Sequence, residues 1–207
     1  MVVRGPRLRL RYARPDDADA LLQLGRDPEV TRWFSWGPYQ DVGEPLAFIE
    51  RMAAQREAGE RLEFVIAGPD DVPLGITGLS ELSQRDRRAV VGTWLGREHW
   101  GTGVNEEAKS LILALAFEVL ALQRVTAYAH PENERSLRAL ERMGFTREGV
   151  LVAWQLHHGQ RRDVVVLRFL REDWERSHLP RIPAVFEGSP PPRISAGNPS
   201  WRIGRTG

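Results

Sequence analysis

The chain of 207 residues contains no cysteine and a single lysine, Lys109. The first absence excludes disulfides, thiolate metal ligands and any mechanism in which a cysteine carries a covalent intermediate. The second leaves arginine as nearly the whole basic complement, a bias that a GC-rich genome or a thermophilic source would each produce. No stretch approaches the roughly 18 uncharged apolar residues that mark a membrane span. Arg4, Arg7, Arg9 and Arg11 interrupt the N-terminus, so no signal-peptide pattern is present and the expectation is a cytoplasmic protein. An excess of one charge is missing too: the formal net charge is +1, which argues against a dedicated DNA binder. No His, Asp or Glu spacing suggests a metal site.

What is present suffices for one ordinary domain with a real core, at 42% hydrophobic residues. Residues 7–12 alternate strictly, so a strand is predicted with Leu8, Leu10 and Tyr12 inward. Pro15-Asp16-Asp17 opens a helix, and residues 45–58 form another that faces inward through Leu46, Ile49, Met52 and Ala53. Residues 62–67, 74–82 and 88–95 read as a three-strand meander separated by turns. A long apolar-faced helix follows from Val104 to about Leu122, then a strand over 124–129. That strand–helix–strand crossover makes the two strands parallel neighbours. A short helix, 136–143, stops at Gly144, and a hairpin over 149–156 and 163–170 turns at His158-Gly159.

The composition changes near Pro180. Six prolines from Pro180 to Pro199, with glycine, serine and arginine between them, argue against a packed core there. The domain is therefore placed at 1–178 and an extension at 179–207. This extension reads as flexible or as an arm on a partner subunit, which leaves a homodimer open.

The stretch that organises the chain is Trp94 to Asn105. An apolar strand runs into it and the long helix runs out, with Gly101-Thr102-Gly103 at the junction. A helix N-terminus offers unpaired N–H groups and the positive end of the dipole, which suit a pyrophosphate. An NTPase loop would need Gly-Lys-Ser/Thr, and Val104-Asn105 follow instead. A dinucleotide fingerprint needs a third small residue where Glu106 stands.

The order of elements, with Gly101-Thr102-Gly103, resembles the GNAT family of acyl-CoA-dependent N-acyltransferases. Residues 100–109, Trp-Gly-Thr-Gly-Val-Asn-Glu-Glu-Ala-Lys, look like the acyl-CoA loop of RimJ/RimL-like N-acetyltransferases. Asn133-Glu134-Arg135-Ser136, Gly144-Phe145, residues 148–151, Arg162-Asp163 and Asp173-Trp174 resemble the rest of that pattern. The resemblance runs from about Arg7 to Ser177. It implies a GNAT fold: a mixed, mostly antiparallel α/β (α+β) sheet of about seven strands, flanked by helices and splayed at the acyl-CoA site. It also implies transfer of an acetyl group from acetyl-CoA to a primary amine, by direct attack in a ternary complex and without a metal. The amine implied is a protein N-terminal α-amine, with a small amine such as a polyamine, antibiotic or amino acid as the alternative; a coenzyme A-binding module without catalysis is a third reading. No membrane partner is implied.

On this resemblance the amides of Gly101, Thr102, Gly103, Val104 and Asn105 cradle the pyrophosphate, with Arg97 adding charge. Trp94 and Leu95 bind the pantetheine arm by strand-like bonds where their strand parts from 124–129, and Asn133 bonds it from the other side. Ser136 faces the departing thiolate. His130 and His99 are the candidate bases. The aromatic loop with Trp33, Trp36 and Tyr39, and the hairpin with Trp154, shape the acceptor pocket. Three positions depart from the family pattern. Glu98 stands where glutamine or arginine is usual, Val90 where many relatives carry an acid, and Leu140 where a tyrosine often protonates the thiolate.

Overall fold

A computed structural model describes residues 1–195. Its strands are β1 (Val2–Arg4), β2 (Arg9–Arg11), β3 (Leu62–Ala67), β4 (Pro73–Ser83), β5 (Arg88–Leu95), β6 (Arg124–Ala129), β7 (Thr146–His157), β8 (Gln160–Leu170) and β9 (Val185–Glu187). The helices are α1 (Ala18–Gly25), α2 (Pro28–Thr31), α3 (Gly43–Ala58), α4 (Val104–Ala114), α5 (Glu134–Arg142), α6 (Arg171–Arg176) and α7 (Pro192–Ser195). One sheet runs β7-β8-β6-β5-β4-β3-β2-β1-β9. Only β5 and β6 are parallel; every other neighbour is antiparallel. The sheet thus has nine strands among the described residues where about seven were expected. The additions, β1 and β9, are three residues each, too short for alternation to register.

Helices cover both faces. On one face α4, α5 and α6 close a large core through Ala108, Leu111, Ile112, Leu115, Leu137, Leu140 and Trp174. On the other, α1 and α3 close a smaller one through Ala18, Leu21, Leu24, Ile49 and Met52 against Val65, Ile76 and Trp94. Meander strands covered on both faces lose the polar face that alternation would give them, and in β3 only Glu63 is not fully buried. The long helix predicted over 104–122 is α-helical to Ala114 and continues as one π-turn, Leu115–Val119.

Two polar groups lie deep under these helices. Arg11 is buried, and its guanidinium bonds Asp17 at 2.7 and 2.8 Å and Asp71 at 2.5 Å, tying β2 to the start of α1 and to the β3–β4 turn. Lys109 is buried on α4. Its Nζ donates to Thr93 Oγ1 at 2.6 Å, and the Thr93 and Thr77 hydroxyls are 2.7 Å apart. Burial pushes the Lys109 amine down to about 7.

The segment after 178 corrects the expectation of a stretch free of the core. Leu179 and Ile194 are fully buried, β9 pairs with β1, and Ser110 Oγ donates to Leu179 O at 2.8 Å. Few apolar residues lie there, but these are placed over the core, and Gln84 Nε2 bonds Ile194 O. Residues 196–207, with Arg202 and Arg205, lie outside the described residues.

Leu179→Ala should therefore lower stability by about 2–5 kcal/mol in denaturant unfolding, the usual result of emptying a buried leucine site. An unchanged midpoint would show that this segment does not dock. A second expectation concerns Lys109. In the unfolded chain its amine holds a proton up to about pH 10.4, whereas in the fold it releases it near 7. Between those limits the unfolded state binds more protons, so the stability of the native protein rises with pH. The melting temperature of the wild type relative to Lys109→Met should climb from pH 7 to pH 9.5; a flat difference would mean the buried amine titrates like an exposed one.

Candidate active site

The site begins where two strands part. β5 and β6 pair only through Arg88↔Arg124, Ala89↔Val125 and Val90↔Thr126. Beyond Val90, β5 stays on β4 as far as Leu95, and β6 stays on β8 as far as Ala129. Backbone polar groups over 91–95 consequently have no β6 partner, a sheet edge opened inside the sheet. A cleft of about 960 Å³ passes through this gap.

The glycine loop closes one end of the cleft. Gly101 and Gly103 have φ of +75° and +85°, the left-handed region where a side chain is strained. Gly103 is the N-cap of α4 and no side chain caps that end, so the first N–H groups of the helix are left without intrahelical partners. Glu107 cannot serve there: its carboxylate takes the Arg7 and Leu8 amides and Arg7 Nε, at 2.8–2.9 Å, fixing α4 to the segment that leads into β2. Arg7 also reaches Thr102 O at 3.4 Å. The loop is thereby shaped as an anion cradle, and the gap behind it as a seat for an extended arm bearing amides.

Helix α5 forms the opposite wall. Asn133 caps it, with Oδ1 accepting from Ser136 N at 3.2 Å. Asn133, Ser136 and Leu140 line the cleft together with Trp94, Leu95, Gly101, Gly103 and Asn105. Other expected residues sit elsewhere. Thr102 turns its hydroxyl to His99 O at 2.8 Å, and Val104 is buried in the core. Arg97 lies 3.8 Å from Asp27. His99 lies 3.5 Å from Glu98 and does not line the cleft. His130 does line it, its ring stacked on Trp33 with centroids 4.5 Å apart. However, His130 Nδ1 accepts from Glu132 N at 3.2 Å, so in the neutral ring Nε2 carries the proton and has no lone pair for another.

The aromatic loop meets the sheet beside β5. Trp36 stacks between Phe34 and Tyr39 and packs on Trp94, with centroids 5.0–5.3 Å apart. Trp33 and Trp36 line the cleft, whereas Tyr39 is buried and lines a second cavity of about 590 Å³ under α3. Burial pushes the Tyr39 phenol up to about 12, so it stays neutral. Trp154 lines neither cavity and is half exposed, while its neighbour Gln155 lines the cleft; Trp154 falls in an irregular stretch of β7, where the register with β8 shifts between Leu151 and Gln155. Three participants carried no periodic signal: Lys109 and Arg135 in the cleft and Glu63 in the second cavity. Arg135 lies 3.2 Å over the Trp100 ring.

The comparisons agree with this geometry. The family model for the acetyltransferase (GNAT) domain matches residues 7–146. Uncharacterized N-acetyltransferase p20 of Bacillus licheniformis is 32% identical over 169 residues, covering 81% of this chain and 95% of its own. A crystal structure from T. thermophilus, assigned as an acetyltransferase, shares 32% identity at a TM-score of 0.75, covering 84% of this chain and 91% of that one. The [ribosomal protein uS5]-alanine N-acetyltransferase of Escherichia coli K12 is 27% identical over 146 residues, 67% of this chain and 75% of its own. With that match across the glycine loop and the strands that part around it, the chain belongs to the GNAT acetyltransferase family.

Proposed function

We propose that this protein is a RimJ/RimL-like acetyltransferase that moves an acetyl group from acetyl-CoA to the N-terminal α-amine of a protein, by direct attack in a ternary complex. The observation that carries the reading is the cleft through the parted strands, which links the uncapped N-terminus of α4 to the aromatic loop. The relative that acetylates ribosomal protein uS5 supports the choice of acceptor.

The donor supplies a thioester already activated for attack. The chain's own part is binding, orientation and proton handling. The amides that open α4 hold the pyrophosphate, with glycine at 101 and 103 allowing close approach. Residues 91–95 lack a β6 partner, and those of their backbone groups not taken by Thr77, Thr93 or Trp100 are open to the pantetheine amides; a backbone N–H there stabilises the developing oxyanion. Asn133 caps α5 with its side-chain oxygen, leaving its amide nitrogen for the arm. Ser136 lies one turn further along and hydrogen-bonds the departing thiolate, the task that Leu140 has no group to perform.

Four outcomes test this. Acetyl-CoA at about 100 times its Kd should add roughly 2.7 kcal/mol of stability, read as a rise in melting temperature. No shift in excess acetyl-CoA would defeat the binding claim. Gly103→Val, strained at φ +85°, should lose that shift while keeping the native circular dichroism spectrum. Ser136→Ala should hold acetyl-CoA affinity within a few-fold and lower turnover at least about tenfold; full turnover would return Ser136 to an ordinary helix serine. Free-thiol release with an amine panel separates acceptors: activity on spermidine but not on an alanine-initiated peptide would overturn the N-terminal assignment.

A further inference from the structure

Acyl transfer to an amine needs a group that removes a proton from the incoming ammonium. His99 lies outside the cleft, and His130 has its accepting nitrogen engaged. The second cavity supplies another candidate. Residues Glu63, Gly78 and Gly92 are cross-strand partners on β3, β4 and β5, so they form one row across the sheet. The row lies on the face covered by α3, between Val65, Ile76 and Trp94 on one side and Ser80 on the other. Two glycines in that row make a trough. A Cβ at Gly78 would lie 2.6 Å from Glu63 Cγ and 2.7 Å from its Cα, so glycine there leaves the room that Glu63 occupies beside β4. A Cβ at Gly92 would meet nothing within 4 Å, so the face of β5 is open beyond the point where it parts from β6. Neighbouring strands are about 4.8 Å apart, so Gly92 lies two spacings, roughly 10 Å, from Glu63, with that open space between them. Gly92, Thr93 and Trp94 line both the trough and the acyl-donor cleft.

The carboxylate is also poorly satisfied. Glu63 Oε2 is sealed from water without a hydrogen-bond partner, and Oε1 has Arg61 Nη1 at 3.5 Å. The charged and titratable groups that share its cavity are Arg61 beside it, Arg51 and Glu44 from α3, and the neutral Tyr39. Burial pushes the Glu63 carboxyl up, and Arg61 and Arg51 only partly offset this. An ionised carboxylate held in this way gains by taking a proton.

We propose that the trough over Gly78 and Gly92 seats the acceptor amine and that Glu63 is its proton acceptor. This inference rests on the acetyl-transfer reading above. Glu63 takes one proton from the ammonium, and the freed nitrogen lone pair forms the bond to the acyl carbon. The carbon–sulfur bond breaks with its electron pair going to sulfur. The second nitrogen proton neutralises the thiolate, and Glu63 returns its proton to solvent. Atoms and charge balance without any further reactant.

The test compares wild type with Glu63→Gln, using acetyl-CoA with an alanine-initiated tetrapeptide and with spermidine, from pH 6 to 10. Glu63→Gln should keep the acetyl-CoA melting shift and lose at least tenfold in kcat at pH 7, within the roughly 10²–10⁴-fold that acid–base groups supply. The deficit should shrink as pH approaches the acceptor's own pKa, because a free amine needs no base. Equal rates, or a deficit that does not change with pH, would overturn the proposal. If the wild type acetylated neither acceptor, the function reading would fail, and the carboxylate is then judged from melting curves alone. A carboxyl whose folded pKa is raised stabilises below its unfolded pKa, and that stability is lost as pH rises through the folded value. Glu63→Gln should then melt above wild type at pH 7.5, with the gap closing toward pH 4. A variant that melts lower at pH 7.5 would show that Glu63 serves only its ion pair with Arg61, and the proposal would fall.

Discussion

The structure depends on a divided loyalty between two adjacent strands. β5 follows its antiparallel partner β4 to Leu95, and β6 follows β8 to Ala129. Each keeps its hydrogen bonds on one side, and their own parallel ladder ends after three pairs. Leaving backbone groups unpaired inside a sheet costs free energy, which is why strand interiors are seldom opened. Here the opening places a polar edge beside the uncapped start of α4. It also joins the two faces of the sheet, so groups from the α4 side and the α3 side meet across β5.

The polar groups near that opening are held at some cost to stability. Lys109 is buried on α4 with Thr93 as its partner, and Glu63 keeps one oxygen without a bond. Gly101 and Gly103 occupy backbone conformations that other residues avoid. Against these stand the apolar layers under α4 and α3 and the bidentate Arg11–Asp17 pair, which fix the strands from which the site is built. Stability is concentrated in the layers, while the left-handed glycines and the buried Lys109 lie beside the parted strands. Functional sites commonly have this distribution.

Much of the fold is legible in the chain itself. Strands 62–67, 88–95 and 124–129 match residue for residue, because their apolar runs end at turn residues. The glycine loop is legible from spacing, and the Asn133 cap from its position before a helix. The segment after 178 is not, because proline content expresses a weak local preference, whereas Leu179 and Ile194 are held by a surface that composition does not describe. His99 departs from expectation for a similar reason: closeness in sequence to the loop says nothing about which way a side chain turns.

The sequence by itself determined most of the longer strands and helices, the crossover that makes β5 and β6 parallel, and the glycine turn that opens α4, since these follow from local periodicity and backbone preference. Tertiary structure alone decided which residues face one another across strands. Glu63, Gly78 and Gly92 are separated by 15 and 14 positions along the chain and carry no shared motif. They become one trough only through the register of three strands, and register is a property of pairing between segments, not of any segment alone.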